Sequence, residues 1–187
     1  MIELFDKYVD WKILAKFIEN PNTKFYVKEL SRILKVSPGS VSKAVNRFEK
    51  NGLLIKNVVG QTHQYSVNIE NPMILPLKKF NGLVKIHNSN FKNTFLKADE
   101  NMLSLAIYGS YADGTYDEKS DLDVLIITPS NKEVYNQPGT KLQSKLGLEL
   151  SISIFKLSQW RKLAKQNDPY YKRIVENHIL FYGSGIE

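Results

Sequence analysis

Leu105-Ala106-Ile107-Tyr108-Gly109-Ser110 and, after a gap of ten residues, Asp121-Leu122-Asp123-Val124-Leu125-Ile126-Ile127 decide how this chain reads. Two apolar runs flank a polar, glycine-containing link, which is the pattern strand, turn, short helix, strand. Side chains alternate along a strand, so Asp121 and Asp123 are expected on one face. Carboxylates that close repel each other unless a cation lies between them. Mg²⁺, or Mn²⁺ in its place, takes oxygen ligands from one or two carboxylates and from substrate phosphates. Gly109 lets the backbone approach a phosphate, and the Ser110 hydroxyl with nearby N–H groups supplies donors. The stretch therefore reads as a site for a nucleoside triphosphate and its metal, with Asp121 and Asp123 as the metal ligands.

Gly109-Ser110, Ala112-Asp113-Gly114 and Ser120-Asp121-Leu122-Asp123-Val124-Leu125-Ile126 together resemble the minimal members of the DNA polymerase β-like nucleotidyltransferase superfamily. The likeness continues through Leu146-Gly147-Leu148-Glu149-Leu150, Asp168-Pro169-Tyr170-Tyr171-Lys172-Arg173-Ile174 and Ile179-Leu180-Phe181-Tyr182-Gly183, about 85 residues in all. It implies a mixed β-sheet with helices packed on it, Gly109 and Ser110 on the triphosphate, and Asp121 and Asp123 on Mg²⁺. The implied chemistry moves a nucleoside monophosphate from the triphosphate to a hydroxyl on a protein, a nucleic acid or a small molecule. A third carboxylate usually completes such sites. Glu149 is the candidate, because Glu149, Ser151 and Ser153 alternate with Leu148, Leu150, Ile152 and Ile154 and give a strand one polar face. A surface glutamate that discourages strand pairing is the other reading. The catalytic set is then Asp121, Asp123 and Glu149. Tyr108 reads as packing within its strand, whereas Tyr111 and Tyr116 read either as packing or as stacking on a base. Leu157 to Gln166 and Pro169 to Asn177 read as helices with Trp160 and Leu163 inward. His87 and His178 have no acidic or serine partner at a spacing that suggests a hydrolase triad.

Upstream, Pro72 to Lys97 carries apolar residues at mostly helical intervals and only basic charges. It reads as one or two helices interrupted near Asn88-Ser89-Asn90, and the lack of Gly/Ser runs makes it a connector rather than a floppy tether.

In the front third, Val9, Ile13, Leu14, Phe17 and Ile18 recur at helical spacing up to Asn20-Pro21-Asn22, and Leu30, Ile33 and Leu34 mark a second helix. Ser37-Pro38 supplies an N-cap and a first-turn proline for a third helix, with Val41, Ala44, Val45 and Phe48 inward and Asn51-Gly52 at its end. Leu53 to Val59 and Gln64 to Val67 read as strands around Gly60-Gln61-Thr62-His63. The block resembles a winged helix-turn-helix domain, carried by Val-Ser-Pro-Gly-Ser-Val-Ser-Lys-Ala-Val and Phe-Glu-Lys-Asn-Gly-Leu-Leu. Ser40, Lys43, Asn46, Arg47 and Lys50 lie on the outer side of the third helix and can donate to phosphates and base edges. Winged helices also serve as protein-docking modules, which leaves a protein partner open. Double-stranded DNA is the expected partner, and a homodimer would suit a symmetric site.

Net charge supports the division. Residues 1–70 sum to +4, residues 71–98 to +5 and residues 99–187 to −2. A basic front and an acidic-leaning back suit units with different partners, although a solvated basic surface gives the same sums. With 42% hydrophobic and 24% charged residues the composition is that of a globular protein. Absence of cysteine excludes disulfides, zinc-thiolate sites and thiol catalysis. No apolar run suffices to span a bilayer and Met1–Lys7 lacks a leader's layout, so no membrane association and a cytoplasmic location are expected.

The expected fold class is α+β: a winged helix-turn-helix over residues 1–70, a helical connector over 71–98 and a minimal nucleotidyltransferase domain with a mixed sheet over 99–187. The activity expected is Mg²⁺-dependent nucleotidyl transfer coupled to DNA binding. The alternative is a DNA-binding regulator, or an antitoxin-like protein, whose back half binds a ligand or partner without turnover.

Overall fold

The computed structural model describes residues 8–186, so the reading of Met1–Lys7 lies outside the described residues. The chain forms two units, Met1–Asn81 with Tyr116–Glu118, and Gly82–Thr115 with Lys119–Glu187.

In the first unit, α1 (Val9–Glu19), α2 (Val27–Leu34) and α3 (Pro38–Lys50) bury the apolar stripes expected of them, with Ile13, Phe17, Ile18, Leu30, Val41, Ala44 and Val45 all in the core. α2 ends on Lys35 in the left-handed region (φ 54), and α3 starts two residues later where Ser37 Oγ accepts the Ser40 N–H at 3.1 Å. Phe25 packs edge-on against Phe17, with ring centroids 5.5 Å apart. The short strand β1 (Phe25–Tyr26) was not legible as a strand; it pairs antiparallel with β3 (Thr62–Val67), which also pairs with β2 (Leu54–Val59). The wing is tighter than the sequence pattern implies. Thr62 and His63 belong to β3, Val59 pairs with Thr62, and the Thr62 hydroxyl donates to the Val59 carbonyl at 2.9 Å. Only Gly60-Gln61 is left to turn the chain, and Gly60 supplies the positive φ (59) that such a hairpin needs.

α4 (Ile74–Asn88) and α5 (Phe91–Ala98) follow as two helices, separated by Ser89 and by Asn90 at φ 65. The division between the units falls within α4.

The second unit is built on a four-stranded mixed sheet in the order β6-β5-β4-β7, formed by β4 (Ser104–Tyr108), β5 (Leu122–Ile127), β6 (Leu150–Phe155) and β7 (His178–Gly183). β4 is antiparallel to both of its neighbours. β5 and β6 are parallel, as a crossover through a 3₁₀ turn (Lys132–Tyr135) and α7 (Asn136–Leu146) permits. All of β4 is buried, which is why Leu105 to Tyr108 reads as a nearly continuous apolar run. Leu105 and Ile107 are fully buried, each worth about 1.5–3 kcal/mol by transfer from water. On one face of the sheet, Ala106, Tyr108, Leu125 and Ile127 pack with Trp160 of α8 (Leu157–Lys165) and Ile174 of α9 (Pro169–Glu176).

One carboxylate is sealed inside this unit. Asp99 is 4% exposed and accepts hydrogen bonds from the hydroxyls of Thr128 (2.6 Å), Ser130 (2.9 Å) and Tyr135 and from the Asn101 N–H (3.0 Å). Burial pushes its pKa up, but these donors together outweigh burial and hold it below the ordinary 3.8. No described helix is long and apolar enough to cross a membrane.

Candidate functional site

β4 delivers the chain to Gly109, and α6 (Ser110–Asp113) opens immediately behind it. Gly109 has φ 67, and its carbonyl accepts the Ala112 N–H at 2.9 Å, closing a tight turn. A Cβ at 109 would overlap the Asp123 carboxylate and lie 3.3 Å from its Cγ, so the turn and the acid occupy adjoining space. Tyr108 stands opposite Asp123 in the antiparallel register and Ser151 stands beside Asp123 in the parallel one. Gly109, Ser110, Asp121 and Asp123 thus gather at one end of the sheet, as the sequence spacing implies.

Asp123 is half-buried, and its pKa is raised first by burial and then by the charge of Asp121; the Ser151 hydroxyl and the Arg173 guanidinium oppose the shift. A like charge raising a neighbour's pKa is the electrostatic mark of two carboxylates held close, and a divalent cation between them would relieve it. The donor set, two hard carboxylate oxygens beside a glycine turn, fits Mg²⁺ or Mn²⁺. Glu149 immediately precedes β6, and its carbonyl accepts the Leu122 N–H at 2.9 Å while its side chain is exposed. Among the described residues no three histidine or carboxylate side chains converge as a metal-holding group, so Glu149 does not join Asp121 and Asp123 in one cluster.

A ring of hydroxyls adjoins the acids. Tyr170 donates to Ser153 Oγ at 2.8 Å, and the Tyr108 hydroxyl lies 3.0 Å from that of Tyr170 and 3.1 Å from Ser153 Oγ. Burial, with Tyr170 and Asp123 nearby, pushes the Tyr108 phenol well above its usual value and keeps it a neutral donor. Tyr108, Tyr111 and Tyr116 are all buried and pack.

On the first unit, Lys43, Asn46, Arg47 and Lys50 are exposed along α3 and Ser40 is partly so. Several have internal duties as well. Ser40 Oγ lies 2.8 Å from Ser37 Oγ at the helix cap, Asn46 Oδ1 accepts from the Tyr65 hydroxyl at 3.0 Å, and Arg47 pairs with Asp10. Beside them a groove of about 860 Å³ runs between α2, α3 and the wing, lined among others by Lys28, Arg32, Ser42, Asn46, Lys56 and His63.

The nucleotidyltransferase domain family matches residues 89–182, half of the chain. The chain belongs to that family. In addition, the N-terminal DNA-binding domain of iron-dependent repressors matches residues 17–58 of this nucleotidyltransferase-family chain, spanning α2, α3 and most of the described wing's first strand. No curated protein matches it. Solved structures to which the chain shows some likeness include a toxin-antitoxin with AMP-PNP, 18% identical over 52% of this chain and 74% of that one with a TM-score of 0.40. Another is a tri-AMPylated Shewanella oneidensis HEPN toxin in complex with MNT antitoxin, 16% identical over 54% of this chain and 73% of that one, with a TM-score of 0.35.

Sequence reasoning about this nucleotidyltransferase domain missed Ser151 and Arg173 as neighbours of Asp123. Ser151 was legible as part of a polar strand face, and only the register singles it out. Arg173 arrives on a helix fifty residues downstream of Asp123, and no local pattern connects the two. Lys28, Arg32 and Lys56 are likewise joined to the α3 face only by tertiary packing.

Proposed function

We propose that the second unit binds a nucleoside triphosphate with Mg²⁺ at Asp121 and Asp123 and transfers its nucleoside monophosphate to a hydroxyl acceptor. The observation that carries the reading is the Asp123 carboxylate, which abuts the Gly109 turn and whose pKa is raised by burial and by Asp121. Asp121 and Asp123 would hold the metal, while Gly109 and Ser110 would cradle phosphate. The bound cation would withdraw charge from the phosphate oxygens. In the transfer, a bond forms from the acceptor oxygen to the α-phosphorus as the bond to the α,β-bridging oxygen breaks; pyrophosphate leaves and the hydroxyl proton passes to water. The first unit would bind duplex DNA through α3 and the wing, with Ser40, Lys43, Asn46, Arg47 and Lys50 on the facing side, and the boundaries 1–70, 71–98 and 99–187 describe this division of labour.

Incubating the full chain with α-³²P-labelled nucleoside triphosphates, Mg²⁺ or Mn²⁺ and candidate acceptors should move label to an acceptor and release pyrophosphate. Asp121→Asn with Asp123→Asn should abolish the transfer and weaken triphosphate binding by calorimetry. Binding that the double variant leaves unchanged removes the metal-site reading.

A second reading is favoured by the serine beside Asp123 and by the absence of a third converging acid among the described residues. In that reading the unit binds nucleotide or a protein partner and regulates the DNA-binding unit without turnover, as a repressor or antitoxin-like protein. Triphosphate binding with no label transfer to any acceptor would select it.

A further inference from the structure

Arg173 is left without a task by the assignment of the acid pair and the glycine turn. It is an exposed residue on α9, and its guanidinium stands over the Tyr170 ring, 5.7 Å from the centroid. Tyr170 is itself fixed to the sheet, since its hydroxyl donates to Ser153 at 2.8 Å and lies 3.0 Å from the Tyr108 hydroxyl. Tyr108 stands opposite Asp123, and Ser153 follows Ser151 on the same face of β6. The cation therefore rides on an anchored aromatic platform at the acid end of the sheet, and its attraction is felt at Asp123.

An arginine in this setting is poorly explained as a counter-ion for the fold. It forms no described ion pair with a carboxylate. A planar guanidinium matches phosphate oxygens with parallel N–H bonds and remains charged at any working pH. Stacking restricts the side chain beforehand, so less rotamer entropy is lost when it engages a ligand. The electrostatics require such a group, because a triphosphate brings more negative charge than one divalent ion can cancel after it has served two aspartates.

We infer that Arg173, seated on Tyr170, grips a phosphate of the bound nucleoside triphosphate and so adds a third wall to the site opposite the Gly109 turn. The inference rests on the triphosphate-binding reading above, and its test separates the two. Calorimetry on the full chain with Mg²⁺ uses two probes, inorganic tripolyphosphate and a nonhydrolysable ATP analogue, against wild type, Arg173→Gln and Tyr170→Leu. The expected result is that Arg173→Gln weakens both probes tenfold or more at an unchanged unfolding midpoint, and that Tyr170→Leu weakens both by a smaller factor. If wild type binds both probes and Arg173→Gln binds them within twofold, the inference fails while the triphosphate site stands. If Arg173→Gln weakens the ATP analogue and leaves tripolyphosphate untouched, the contact is to the nucleoside and the inference fails as well. If wild type binds neither probe, the triphosphate-binding reading falls and takes this one with it.

Discussion

Asp99 and Asp123 are carboxylates of the same unit, and the protein treats them oppositely. Asp99 is sealed in and surrounded by donors, three hydroxyls and a backbone N–H, and its pKa is lowered. Asp123 is half-buried next to a second aspartate, and its pKa is raised by burial and by that neighbour. A structural carboxylate is recognisable because its surroundings already satisfy it. The carboxylate proposed for binding differs because its surroundings offset burial and a like charge only in part, and a cation would relieve the remainder.

The largest expected effect that could break this contrast is on Asp99. Asp99→Ala leaves four donors without their acceptor, the Thr128 and Tyr135 hydroxyls among them buried, and should cost roughly 3–5 kcal/mol in urea unfolding. A loss under about 1 kcal/mol would mean that the cluster holds little of the fold. Gly109→Ala comes next. A side chain at φ 67 and ψ −150, a region held almost only by glycine, carries roughly 1–3 kcal/mol of strain and must also displace the Asp123 carboxylate, so stability and triphosphate binding should fall together. Retained binding would show that the turn and the acid are independent.

Acid titration gives the third. For Asp99 the folded pKa lies below the unfolded 3.8, so the folded state binds the proton less readily than the unfolded one. Its contribution is fully present above that value and drains away as pH falls through the folded pKa. Wild type should therefore lose stability below about pH 4 more steeply than Asp99→Asn, measured by thermal unfolding across pH 2–6. Parallel curves would contradict the assignment. The smallest stability effect is expected at the other acid. Asp123→Asn removes a like-charge repulsion and should change unfolding free energy by no more than about 1 kcal/mol, while metal-dependent triphosphate binding drops by an order of magnitude or more. Destabilisation as large as that of Asp99→Ala would erase the distinction between the two sites.

Much of this was legible from local pattern. Leu105 to Ile107 and Val124 to Ile127 announce buried strands because both faces are covered, and Ser37-Pro38 announces α3 because cap and ring chemistry act within one turn. What escaped depends on partners distant in the chain. Phe25–Tyr26 becomes a strand only by pairing with Gln64 and Tyr65. Asn46 and Arg47 look uncommitted in the sequence but are engaged by Tyr65 and Asp10. Glu149 attracts attention as an acid on a polar strand face, whereas the residue that register sets beside Asp123 is Ser151. Chemical type suggests candidates there, and strand alignment chooses among them.

The abutment of Gly109 and Asp123 also limits how this sequence can drift. A larger residue at the first position must both take up a backbone conformation that favours glycine and push the second aside, so shrinking the second relieves only part of the cost. A library randomised at both should recover folded molecules chiefly with glycine at the first position, with nucleotide affinity surviving only where aspartate holds the second.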